Sequence, residues 1–144
     1  MKTKIIGLCI AMTAISAGVY AQHGELVSMN EETRKTYYTT NNEYTVENDG
    51  SYTGNIVSYY ENGQIEEIGT MAANIKEGHW NRFDEAGNKI AIAQYRQGQK
   101  HGTWKVWSPE GVLRVVMEYD KGKRVGTWKF YDDLGNLTEE KSFD

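Results

Sequence analysis

Glycine returns every 24 residues through the second half of the chain, at Gly54, Gly78, Gly102 and Gly126. A second set, Gly63, Gly87, Gly111 and Gly135, keeps the same step. An internal repeat of this length restricts the fold to one in which each unit is a single supersecondary element stacked on its neighbours. Large side chains recur in phase with the glycines. Two residues after the first set stand Ile56, Trp80, Trp104 and Trp128, and five residues after it stand Tyr59, Phe83, Trp107 and Tyr131. Eleven residues on come Ile65, Lys89, Leu113 and Leu137, and seventeen on come Met71, Tyr95, Tyr119 and Phe143.

Each unit parses as a β-hairpin. In the second, His79 to Asp84 is aromatic-rich, Glu85-Ala86-Gly87-Asn88 supplies a turn, and Ile90 to Arg96 is β-prone before Gln97-Gly98-Gln99 turns again. Short β-prone runs between glycine-bearing turns mark an antiparallel meander. Gly87 and its equivalents fall where a hairpin loop needs a positive φ, and Pro109 suits the first central position of a turn in the third unit. The first glycine set is read as opening each hairpin. Leu113, Val115, Met117 and Tyr119 alternate with Arg114 and Glu118, the pattern of a half-buried strand. Trp104 and Trp107 lie three apart, so either both faces of that strand carry aromatics or a bulge or bend intervenes. No stretch from 54 to 144 sustains helical periodicity.

The N-terminus reads differently. Met1-Lys2-Thr3-Lys4 is a basic start, Ile5 to Val19 an apolar and small-residue core, and Val19 and Ala21 the small or aliphatic residues of a cleavage site. These are the marks of a secretory signal peptide over 1–21, cut after Ala21, and too short and interrupted to remain as an anchor. The only cysteine, Cys9, lies within that segment, so the mature chain is expected to use no disulfide, thiol catalysis or zinc–thiolate chemistry. Loss of Lys2 and Lys4 takes the formal charge from −4 to −6, which offers no general attraction to nucleic acid or anionic lipid. Residues 22–50 are polar, with a turn signal at Asn48-Asp49-Gly50. They are read as an N-terminal segment holding a degenerate first repeat from about Tyr37, with a loose extension before it. The hairpin domain then occupies 51–144.

The clearest units read GHWNRFDEAGNK, GTWKVWSPEGVL and GTWKFYDDLGNL. This pattern, repeated in phase, resembles the bacterial variant of the MORN repeat, the hairpin module of proteins labelled YwqK-family antitoxins, over Gly54 to Asp144. The first unit departs from it, with Ile56 in place of tryptophan and Asn74 where Gly98 and Gly122 stand later. The resemblance implies an all-β fold: an elongated single-layer antiparallel sheet with one hairpin per repeat of about 24 residues, and no catalysis or cofactor.

Candidate chemistry is sparse. His79 and His101 occupy neighbouring phases and could approach a shared metal, but no carboxylate recurs to complete a site. Glu61, Asp84, Glu85, Glu110, Asp132 and Asp133 fall in turns, where acidic residues serve solubility as readily as glycoside hydrolysis. The aromatics Tyr59, Phe83, Trp107 and Tyr131 are the candidate binding residues, for a partner's apolar face or a sugar ring. The last strand, Leu137 to Phe143, could accept a partner strand at its edge. The expected function is an exported, non-enzymatic scaffold for an unidentified protein partner. The alternatives are a glycan- or cell-envelope-binding module and an antitoxin-like protein.

Overall fold

The computed structural model describes residues 26–30, 35–46 and 48–144. The signal peptide read at 1–21, Cys9 within it, and His23 lie outside the described residues. Eleven strand segments form one sheet. They are β1 (Leu26–Asn30), β2 (Lys35–Val46), β3 (Tyr52–Tyr59), β4 (Ile65–Ala72), β5 (Ile75–Phe83), β6 (Lys89–Arg96), β7 (Gln99–Lys100), β8 (Gly102–Trp107), β9 (Leu113–Asp120), β10 (Lys123–Tyr131) and β11 (Leu137–Phe143). Each strand pairs antiparallel with the next along the chain, and β7 and β8 are two halves of one rung that both pair with β6. The sheet is single-layered and open, and no helix occurs among the described residues. It also extends further toward the N-terminus than a loose extension would allow, since β1 pairs with β2 and β2 with β3.

Two kinds of turn alternate. Within each hairpin the loops Tyr60–Gln64, Asp84–Asn88, Ser108–Val112 and Asp132–Asn136 repeat one geometry. The first residue's amide donates to the last residue's carbonyl at 2.8–2.9 Å, and the glycine amide donates back to the first residue's carbonyl. Gly63, Gly87, Gly111 and Gly135 have φ of 84°, 87°, 83° and 83°, the conformation expected of them and one that only glycine reaches without strain. Between hairpins the connections are two-residue turns with both φ values positive: Ala73-Asn74, Gln97-Gly98 and Lys121-Gly122. Such turns match the right-handed twist of the strands they join. Asn74 replaces glycine here because asparagine tolerates the left-handed region. The second amide of each turn reaches the preceding unit: Asn74 to the Tyr52 carbonyl at 2.9 Å, Gly98 to Lys76 at 3.0 Å and Gly122 to Lys100 at 2.8 Å.

The first glycine set does not mark turns. Gly78 lies within β5 and Gly126 within β10, three residues past the start of each strand, and Gly102 begins β8. Each carries a positive φ, 68°, 61° and 63° for Gly78, Gly102 and Gly126. Pairing with the following strand begins at each of the three glycines: Gly78 opposes Tyr95, Gly102 opposes Tyr119 and Gly126 opposes Phe143. Pairing with the preceding strand slips. In β5 the register jumps from Glu77↔Thr70 to Asn81↔Ile68, and in β10 from Val125↔Glu118 to Lys129↔Val116. The glycines therefore make bulges that re-aim the tryptophan two residues on. In the first unit, where Ile56 replaces that tryptophan, the irregularity falls on β2 instead, between Thr39 and Tyr44.

The largest buried cluster lies along one face, while Val57, next to Ile56 on β3, is buried on the other. Tyr52, Ile56, Met71 and Trp80 form the cluster's centre, with Tyr44, Ala93 and Tyr95 packed against it. Trp80 lies flat on Gly69, close enough that a Cβ there would sit 2.3 Å from the indole.

Candidate functional site

The bulges create the site. Because each Gly-x-Trp segment is displaced from the strand before it, a ring comes within reach of a carbonyl on that strand, which in the case of Gln94 also accepts the His101 amide at 2.9 Å. The tryptophan indole supplies a side-chain donor to it. Trp80 Nε1 donates to the Thr70 carbonyl at 3.2 Å, Trp104 Nε1 to Gln94 at 3.0 Å, and Trp128 Nε1 to Glu118 at 3.1 Å. Buried polar groups rarely go unpaired, so this bond fixes both the depth and the tilt of each indole.

Held in this way, the rings form a continuous ladder across six neighbouring strands. Trp80, Tyr95, Trp104, Tyr119, Trp128 and Phe143 follow one another at centroid separations of 6.3, 5.1, 5.4, 5.2 and 4.8 Å. All five contacts are tilted or edge-on, the arrangement aromatic quadrupoles prefer. Burial raises the Tyr95 hydroxyl pKa, with the Glu67 charge adding to the shift and Arg82 opposing it.

A column of cations covers the ladder. Lys76 Nζ sits 3.8 Å from the Trp80 ring centroid and 5.4 Å from Tyr95; Lys100 Nζ sits 4.6 Å from Trp104 and 5.0 Å from Tyr119. The Arg124 guanidinium sits 5.1 Å from Trp128 and 5.5 Å from Phe143. Each contact of this kind contributes about 0.5–1 kcal/mol at an exposed site and more when water is excluded. Sequence reading missed this column, although the signal is present: Lys76, Lys100 and Arg124 stand two residues before Gly78, Gly102 and Gly126. Lys76 is also held by both oxygens of Glu67, at 3.1 Å.

At the middle of the ladder lies a groove of about 500 Å³, within the range of small-molecule and peptide-anchor sites. Its floor is Ala91, Ala93, Trp104 and Tyr119, with Lys100 at one side and Trp107 and Pro109 toward the hairpin turn. Trp104 and Trp107 reach one groove despite their spacing because the register of β8 against β9 slips between Val106 and Trp107, so the bulge alternative holds.

The aromatics proposed from sequence divide. Trp107 joins the groove, whereas Tyr59, Phe83 and Tyr131 do not line it. Tyr59 instead pairs with Tyr38 at 5.8 Å, and its hydroxyl pKa is raised by burial and then by that neighbour. The Phe83 carbonyl accepts the Tyr60 hydroxyl at 2.8 Å, and Tyr131 is half-buried at the end of β10, opposite Leu137. Of the repeat positions, Trp80 and Trp104 line the groove, while Trp128 continues the ladder beyond it. The glycines act only through the backbone.

Of the titratable candidates only Asp84 reaches the groove. His79 opposes Gln94 across the β5–β6 pair, and His101 lies on the other side of β6 with Nδ1 3.3 Å from Asp120 Oδ1. Among the described residues no group of three or more His, Cys, Asp or Glu side chains is placed to hold a metal ion. Asp84 and Asp132 each cap a hairpin turn, with one oxygen accepting two backbone amides and the other an asparagine Nδ2. Those bonds, from Asn88 and Asn136 above all, hold both carboxyls below the usual carboxylate range. A general acid needs the opposite shift.

No curated protein matches the sequence. The hairpin between 73 and 99 carries the same indole–carbonyl bond and turn geometry as the units on either side of it. Residues 52–72, 100–121 and 124–144 each match the family model described as the MORN repeat variant.

Proposed function

We propose that the protein is a non-enzymatic scaffold that binds a protein partner along the ladder face, with the groove between Lys100 and Trp107 as the anchor point. The observation that carries this reading is the groove itself. It lies against the aromatic column with an apolar floor and three tryptophans, Trp80, Trp104 and Trp107, in its lining, and aromatic side chains are enriched at the centres of protein interfaces. Carboxylates tied into turns or held by lysine favour a scaffold over a hydrolase. A protein partner is favoured over a glycan because Trp80, Tyr119 and Trp128 are each less than a tenth exposed and the cations lie over their faces, which leaves little flat ring for a sugar.

The signal-peptide pattern of 1–21 places this scaffold outside the cytoplasm in our reading. N-terminal sequencing of the protein recovered from its own cells should begin at Gln22. The partner test is affinity capture from the envelope fraction, wild type against Trp107→Ala, with circular dichroism to verify the fold. One stoichiometric partner recovered by wild type and lost from the variant is the expected result. Equal capture by both would remove the groove from the proposal.

A further inference from the structure

We propose that Lys100 receives a carboxylate from the partner, the side chain of an aspartate or glutamate flanked by apolar residues on an extended segment. This rests on the scaffold reading above and adds the chemistry of its central contact.

The observation is a break in the periodicity. Lys76 and Lys100 stand at the same phase, 24 residues apart, and lie over equivalent rings. Glu67 closes an ion pair with Lys76 at 3.1 Å. One period after Glu67 the chain has Ala91, and Lys100 forms no ion pair among the described residues. Lys100 therefore holds the position of Lys76 with the carboxylate taken away. A methyl group replaces it, and both Ala91 and Lys100 face the groove. One unit further on, the same phases carry Val115 and Arg124, so of these three units only the middle one combines a bare lysine with a small residue.

Charge complementarity identifies the occupant. An ammonium resting on an aromatic floor has exchanged part of its water for ring faces, and a carboxylate brought alongside it forms a charge-assisted hydrogen bond. The carboxylates already at the groove are engaged: Glu67 by Lys76, and Asp84 by Asn88 and two turn amides. Arg82, the next cation along, pairs with Glu66 at 3.5 Å. The apolar floor accounts for the flanking residues, because a segment crossing the sheet places its neighbouring side chains on the alanines and rings beside Lys100.

The test uses the full chain and two blocked tripeptides, phenylalanine–glutamate–phenylalanine and its glutamine counterpart, with the Trp104 indole N–H followed by NMR. The glutamate peptide should shift that resonance saturably, and the glutamine peptide should bind roughly tenfold more weakly. Lys100→Gln should abolish the preference. Ala91→Glu, which supplies an internal carboxylate in the manner of Glu67, should weaken the glutamate peptide by a similar factor. An unchanged indole resonance of Trp128, which lies beyond the groove, reports an intact fold in each unliganded variant.

Equal affinities for the two peptides, a preference that survives Lys100→Gln, or no saturable shift would each overturn the proposal. So would a Trp104 shift that depends on protein concentration alone, which would make a second copy the occupant. The two readings fail separately. Partner capture lost in Trp107→Ala without peptide discrimination removes only the carboxylate contact, and discrimination without any effect on capture removes only the scaffold anchor.

Discussion

At Gly78, Gly102 and Gly126 the displaced backbone sets a requirement that tryptophan alone meets among large apolar side chains: an apolar body with an N–H at its rim. Trp128→Phe keeps most of the ring and deletes the donor to the Glu118 carbonyl, so it should lower stability by about 1 kcal/mol with an unchanged urea m-value. Gly69 has the complementary role of clearing space. Gly69→Ala drives a methyl into the Trp80 indole and should cost about 1–3 kcal/mol, read by urea unfolding and by a changed near-ultraviolet dichroism of Trp80. Tyr52 is buried, and burial, with Tyr44 second, pushes its hydroxyl pKa up to about 12. An unfolded tyrosine ionises near pH 10, so the stabilising contribution is whole below that value and is lost as pH rises toward the folded one. Absorbance titration should show Tyr52 ionising last, together with alkaline unfolding.

At the level of the hairpin, the two turn types divide the labour. The five-residue loops are closed by their own side chains. Asp84 and Asp132 titrate below an ordinary aspartate, near 3.9 when unfolded. Their contribution to loop order is therefore complete above about pH 4 and lost as pH falls through the depressed folded value. Carboxyl NMR shifts should locate those transitions, with faster amide exchange at Asn88 and Asn136 over the same interval. The two-residue turns do something different, because their second amide bonds to the unit before. Much of this was legible beforehand. The φ of Gly63, Gly87, Gly111 and Gly135 follows from loop length and the need for a left-handed residue. The role of Gly78 and its equivalents was not legible, since a glycine in a bulge and one in a turn look alike until strand register is known.

Across the whole molecule, the indole hydrogen bonds run between neighbouring units, while the ring contacts alternate between those within a hairpin and those joining adjacent hairpins, so stability should decompose into hairpins and the interfaces between them. Deleting 123–144 should leave the remaining sheet folded, with the Trp80 indole N–H still slow to exchange by NMR, while Tyr119 loses Trp128 from one side. The ladder itself could be anticipated from the phased aromatics and the antiparallel hairpins from the glycine step, while the single sheet was what the family resemblance implied. The groove could not, because it depends on Ala91 standing where Glu67 stands earlier, a difference between units rather than a property they share. Sequence periodicity reports what repeats, and here the candidate site lies in what does not.

The indole bond also gives the sheet a direction of growth. Each tryptophan reaches back ten residues to a carbonyl already laid down by the previous unit: Thr70, Gln94, Glu118. Ser142 occupies the next acceptor phase. A copied unit joined after Asp144 would thus find its docking point ready-made, whereas one inserted ahead of Ile56 would meet a side chain with no donor to offer. Lengthening by duplication is easy at one end and obstructed at the other, so an array of this kind should gain units from its C-terminal side.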